Sequence, residues 1–166
     1  MTQDARNLPG EGLREAMRRW VTGVAIVSSQ HSGHSHGMTV NSFVSVSLDP
    51  ALITVTLAVN TRTHALVKES GFLGVSVLSY AQADLSDRFA GRIPDNGDRF
   101  GGVQTFTLLG QAPLIAGSLA GLECKVVHEH PMLKSTLFIA EVLAAVHTMD
   151  GEPLVYCNRA YHRMAE

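Results

Sequence analysis

The chain has 166 residues, 45% of them hydrophobic and 17% charged, with a formal charge of −2. That length and apolar content favour one domain, residues 1–166, with a sizeable core, over a disordered chain. The near-neutral balance offers no basic surface for nucleic acid, and no apolar run reaches the roughly 18 residues of a membrane span.

Residues 1–10 are polar and read as a flexible tail without a secretory signal region, so a cytoplasmic location is the default expectation. Leu13, Ala16, Met17 and Trp20 recur at helical spacing, with Arg14, Glu15, Arg18 and Arg19 between them, and Gly23 ends the predicted helix. Residues 24–29 read as a strand. Residues 30–37 read as a polar connection closing a hairpin onto a second strand, 38–47. Asp49-Pro50 is a turn, because proline cannot donate to a ladder and restricts the residue before it. Residues 52–57 form a third strand.

A short helix is predicted over 63–70, with a hydroxyl cap and Gly71 after its end. A strand follows at 72–78 and a second short helix at 82–89, stopped near Gly91. Residues 92–102 carry Pro94, Asp95-Asn96-Gly97-Asp98 and two closing glycines, and read as a mobile surface loop. A short strand at 103–109 precedes two long ones, 120–129 and 136–147. Asp150-Gly151 is a turn signal, and 153–157 returns as the last strand. Most connections are too short for parallel crossovers, so antiparallel pairing follows, and a small closed or nearly closed barrel hides its edges.

Two segments carry the chemistry. Thr39, Val40, Asn41, Ser42, Phe43, Ser45 and Ser47 alternate small polar and apolar groups along an extended run. Such a ribbon lets a planar ring approach the backbone closely, or is simply a solvated strand face. Asn60, Thr61, Arg62, Thr63 and His64 stand at the start of a helix, where unpaired N–H groups and a guanidinium can receive a phosphate. An ordinary capped helix is the competing reading. A ring plus a phosphate describes a flavin nucleotide.

Other residues give weaker signals. His31, His34 and His36 share one polar stretch, but a flexible loop fixes no metal geometry, so no metal site is expected. Cys124 and Cys157 read as unpaired thiols. Glu123, Glu129 and Glu141 are scattered along strands and are expected to face solvent, neighbouring cations or a subunit contact. There is no Gly-x-Ser-x-Gly elbow.

The run Gly37-Met-Thr-Val-Asn-Ser-Phe43, followed by Asn60-Thr-Arg-Thr-His64, resembles the flavin reductase-like family of NAD(P)H:flavin oxidoreductases. The likeness extends from about Leu13 to Met164. It implies a mainly β fold, a six-stranded antiparallel Greek-key split barrel of the FMN-binding type with peripheral helices, paired as a homodimer. It implies hydride transfer from NADH or NADPH to FMN or FAD, with reduced flavin passed to a partner monooxygenase. Phe89, Ala90 and Gly91 resemble a family element beside the flavin, and Arg99-Phe100 a covering loop. Tyr161 lies in a tail similar to one near the flavin and the dimer contact. Phe89 and Tyr161 read equally well as core or barrel-mouth packing.

One departure bears on the nicotinamide. Many similar proteins carry Gly-Asp-His before the strand that is Thr136-Leu-Phe-Ile-Ala-Glu-Val142 here, whereas this chain has Met132-Leu-Lys-Ser135. Either Ser135, Lys134 or His130 does a similar job, or NAD(P)H is handled differently, or the pyridine nucleotide is not the partner and the chain binds flavin without reductase activity. A third reading, without flavin, is an interaction module that pairs a peptide along the polar strand.

Overall fold

The computed structural model describes residues 9–164. In chain order the elements are α1 (Pro9–Met17), β1 (Thr22–Gly23), β2 (Ala25–His31), β3 (His34–Val40), β4 (Val44–Leu48), β5 (Ala51–Ala58), α2 (Arg62–Ser70) and β6 (Phe72–Val77). A 3₁₀ turn (Tyr80–Gln82) leads into α3 (Ala83–Phe89), followed by β7 (Thr105–Phe106), β8 (Leu114–Ile115), β9 (Ala120–Pro131), β10 (Ser135–His147), β11 (Val155–Cys157) and β12 (Ala160–His162). The fold is mainly β with peripheral helices.

The principal sheet is antiparallel, in the order β3-β2-β6-β9-β10-β5-β4. In a flat sheet β2 and β5, four places apart in that order, would stand about 19 Å from each other. Instead Ala25 and Val27 of β2 share one buried cluster with Ile53, Val55 and Leu57 of β5. The sheet therefore rolls round on its apolar face. Leu73, Val75, Cys124, Phe138 and Ala140 fill the interior, and Val67 of α2 plugs one end. The alternation along β5, with Ile53, Val55 and Leu57 buried and their neighbours half-buried, is what a one-sided sheet requires.

The two edges, β3 and β4, are consecutive in sequence and joined by Asn41-Ser42-Phe43. Ser42 fixes that crossing: its hydroxyl donates to the Thr56 carbonyl (3.0 Å) and accepts from the Thr56 N–H (3.2 Å). The polar ribbon predicted as one strand over 38–47 is thus two strands on opposite edges. This gives seven strands to the sheet rather than six.

Several local expectations need correction. α1 ends at Met17, not Trp20, and none of its residues is buried. The expected polar connection at 30–37 is nearly all strand. Its turn is only Ser32-Gly33, both at positive φ (49° and 79°), which matches strand twist in a two-residue hairpin. The strand expected over 103–109 shrinks to Thr105–Phe106, and the tail beyond Cys157 forms β12. The 92–102 segment is tied down by several side chains described below. The tail expected over residues 1–10 falls largely outside the described residues. Both cysteines are free, Cys124 buried and Cys157 half-buried.

Glu123 departs most. It is 0% exposed, and its carboxylate accepts the N–H groups of Leu108 (3.0 Å), Leu109 (2.8 Å) and Gln111 (3.3 Å). It organises the 107–112 loop from inside. Glu129, as expected, meets a cation, Lys68, at 3.4 Å. Replacing Glu123 with Ala strands those N–H groups, so Glu123→Ala should cost about 2–4 kcal/mol in urea denaturation. A loss under about 0.5 kcal/mol would show that the loop holds without it.

Candidate functional site

The site grows from the free edge of β3. Gly37 has no room for a side chain, because a Cβ there would sit 2.8 Å from the Phe89 ring. That close approach brings the C-terminal end of α3 against the strand. The Arg99 guanidinium then locks the junction, donating to the Gly37 carbonyl (3.0 Å) and the Phe89 carbonyl (2.7 Å) while pairing with Asp95 (3.1 Å). Since Arg99 reaches the Gly37 carbonyl, this residue's backbone groups face away from β2. The antiparallel alternation turns those of Thr39 outward as well. The Thr39 hydroxyl donates to the Ser86 carbonyl (2.6 Å), pinning β3 to α3 a second time.

Two adjoining clefts, of about 380 and 260 Å³, run along this edge and meet at Thr39 and Ala90. Together they fall within the ~300–1,000 Å³ of small-molecule sites. The first is lined by His36, Met38, Asn60, Thr61, Arg62, Phe89, Asp95 and Arg99. Thr61 is the N-cap of α2: its hydroxyl oxygen accepts the His64 N–H (3.3 Å), and its hydroxyl also donates to the Ala58 carbonyl (2.8 Å). Arg62 leans across to the Gly97 carbonyl (3.1 Å). Two guanidiniums and a helix N-terminus against one carboxylate make this end net positive. The Gly97 N–H and Arg99 hold the Asp95 carboxyl below its ordinary range.

The second cleft is lined by Val24, Val40, Asn41, Arg92, Tyr156 and Tyr161. Here the Tyr161 hydroxyl is consumed by Ser86 (2.7 Å) and Asp87 (2.9 Å), so the residue offers its ring rather than its oxygen. Burial raises the phenol's pKa above its ordinary value. Arg92 pairs with Asp87 (2.8 Å) and lies 5.7 Å from the Tyr161 ring. The result is a flat, partly apolar slot with polar ends.

The sequence candidates thus divide. Thr39, Val40, Asn41, Asn60, Thr61, Arg62, Phe89, Ala90 and Tyr161 line the paired clefts. Phe89 is fully buried behind the wall, edge-on to Phe100 at 5.0 Å. Ser42 and Phe43 sit at the crossing to β4, and Ser45 and Ser47 lie on β4 itself, where Ser47 donates to the Pro50 carbonyl. Thr63 is buried. His64 bonds Thr136 (2.8 Å) against the Phe138 ring, and its burial and Lys68 lower its pKa. Gly91, beside Ala90, faces the Arg99 guanidinium. Ser135 is in register with Ala58, at the rim near Asn60, while His130 lies exposed on β9.

Six cleft residues were not among the sequence candidates: Val24, His36, Met38, Arg92, Asp95 and Tyr156. His36 sat in what looked like a loop. The Ser-Gly pair after His31 was the one hint that a tight hairpin would place it on a strand. It is 8% exposed, its Nδ1 lies 2.8 Å from the Thr63 hydroxyl oxygen, and burial, Arg99 and Arg62 push its pKa down to about 4.

His36 therefore folds neutral while the unfolded chain titrates it near 6.5. Between those pH values the unfolded chain binds the additional proton, so stability rises with pH across the window and is lost as pH falls through it. His36→Asn should remove about 1–3 kcal/mol of that pH dependence between pH 6.5 and pH 4. Urea denaturation across the window reads it, and an unchanged slope would contradict the assignment.

Comparisons with known proteins agree with one another. A model of the flavin reductase like domain matches residues 17–165. The NADH-dependent flavin reductase of a Rhodococcus species is 34% identical over 99% of this chain and 94% of its own length. The styrene monooxygenase flavin reductase of Pseudomonas putida superposes with a TM-score of 0.82 at 34% identity, covering 93% of this chain and 98% of that one. The NADH:FAD oxidoreductase of Streptomyces globisporus, solved with NAD and FAD fragments, gives 0.86 at 30% identity over 95% of this chain and 93% of that one.

Proposed function

The chain belongs to the flavin reductase-like domain family, and from that premise we propose that its paired clefts hold a flavin nucleotide for reduction by NADH. The observation that carries this reading is the continuity of the clefts. A cationic end at Arg62 and Arg99 passes through Thr39 and Ala90 into a flat slot at Asn41 and Tyr161. That order of charge and flatness fits a phosphate, a ribityl chain and a ring.

The donor set fits the group. Outward backbone at Thr39, the Asn41 amide and the Arg92 guanidinium offer polar partners along one side of the slot, and Tyr161 supplies a wall. Thr61, Arg62 and Arg99 oppose the phosphate charge. When bound, the flavin supplies the hydride acceptor, and the protein's share is orientation and electrostatics. Thr39, Asn41 and Tyr161 would hold the ring along β3, and hydride transfer would then need a nicotinamide brought to near-attack distance, about 3–3.5 Å. Arg92 favours negative charge on the reduced product. Ser135 and Lys134, at the hairpin tip between β9 and β10, are nearest to the role of the missing histidine, since the Lys134 backbone carbonyl accepts the Val59 N–H beside Asn60.

NADH is the reductant supported by the relatives' names, and both FMN and FAD occur among them. The chain then supplies reduced flavin to a monooxygenase, as the styrene system's component is named for. It works as a homodimer. Leu13, Met17, Trp20 and Val21 are exposed on and beside α1, and Val44, Val46 and Leu48 on β4, with a groove between them lined by Trp20 and Val44. Exposed apolar side chains grouped in this way mark a protein contact surface. Among the described residues no helix is long and apolar enough to cross a membrane.

Purified protein should oxidise NADH when FMN or FAD is added. A flavin that binds and stays oxidised in NADH would favour the binding-only reading, and absence of both would end the proposal. Arg62→Ala should raise the KM for FMN about tenfold with kcat within a factor of about two, as expected for loss of one charge-assisted contact. Trp20→Glu should shift sedimentation toward monomer. An unchanged sedimentation profile in that variant would place the contact elsewhere.

A further inference from the structure

His36 lines the cleft without a part in the flavin reading above, and its surroundings are specific. It stands on β3 opposite Ser29, under the first turn of α2. The charged groups facing it are Arg62 from α2 and Arg99 and Asp95 from the 90–102 segment. Its Nδ1 is bonded to Thr63. Among the described residues its Nε2 has no protein partner, yet it is not one of the buried side-chain atoms left without a bond. The atom therefore opens onto the cleft that His36 lines together with Arg62 and Arg99.

We propose that His36 reads the terminal phosphate of the bound flavin, its Nε2–H donating to a phosphate oxygen and its ring taking up a proton from solvent as that phosphate enters. This rests on the flavin reading and adds to it a discriminating residue. Without a ligand the neighbouring arginines oppose the charged ring. A dianion seated between Arg62 and Arg99 reverses that local field and favours the imidazolium. Thr63 accommodates both states, because a hydroxyl donates to a neutral Nδ1 and accepts from a protonated one. Only the Thr63 hydroxyl hydrogen has to turn for the second ring nitrogen to carry a proton. A phosphate monoester gains most from this arrangement, since it concentrates up to two negative charges on one phosphorus, where a diphosphate bridge carries one on each. Riboflavin, with none, gains nothing.

The test is fluorescence quenching of FMN and of riboflavin by the full-length protein at pH 6 and pH 8. His36→Phe, which has no donor, and His36→Asn, which keeps a neutral one, are measured alongside. In the wild type, FMN should bind more tightly than riboflavin. His36→Phe should cut that preference about tenfold at pH 6 and less at pH 8. His36→Asn should stay near the wild-type preference at pH 8 and fall below it at pH 6. Riboflavin affinity should change less than twofold throughout, which also shows that the variants are folded. An FMN-to-riboflavin preference unaltered by either variant, or altered equally at both pH values, overturns the proposal. Failure of the wild type to quench either flavin would instead overturn the flavin reading itself.

Discussion

One guanidinium holds the cleft together. Arg99 donates to the carbonyls of Gly37 and Phe89 and pairs with Asp95, so a sheet edge, a helix end and a long loop share a single fastening. An edge strand ordinarily leaves a row of backbone groups for any passing chain. Here that edge is covered on one side by α3 and the loop, and what remains open is a slot of molecular size. The absence of a Cβ at Gly37 is what permits the approach, and Thr39 repeats the fastening one pleat further on. A rolled sheet with a filled interior backs this edge.

The two ends of the cleft then follow from their supports. The cationic end is built on the capped start of α2, whose position is set by Val67 in the barrel core. The flat end is built on β11 and β12, where Tyr156 and Tyr161 pair across the ladder, and on Asp87, which holds both Tyr161 and Arg92. Family membership supplies the chemistry that such a site serves. The arrangement gives that chemistry a physical basis: fixed donors at one edge, charge at the far end and an open face.

Much of this was legible locally. The α2 cap at Thr61 and its stop at Gly71 follow from short-range hydrogen bonding, and the alternation of β5 from one-sided burial. Thr39, Asn41, Asn60, Thr61 and Arg62, singled out because their types suit a ring edge and a phosphate, do line the paired clefts. The remainder was set at long range. His36 looked like loop because Ser and His alternate around it, and only the hairpin register and the packing of α2 bury it. Glu123 looked exposed for the same reason, since a charged residue in an alternating strand says nothing of a loop that will fold over it. Ser42, Ser45 and Ser47 shared the polar pattern of Thr39. The break at Asn41-Ser42-Phe43, which carries the chain to the other edge, left no mark that distinguishes it from a continuous strand.

The central claim is that the exposed side of β3 and the first turn of α2 together grip one flavin nucleotide. Hydrogen exchange of the intact protein with and without FMN tests it directly. Slowed exchange at the amides of residues 37–41 and 60–64, with β4 unaffected, is the predicted result. Protection confined to β4 or to the far side of the barrel, with residues 37–41 unchanged, would contradict it.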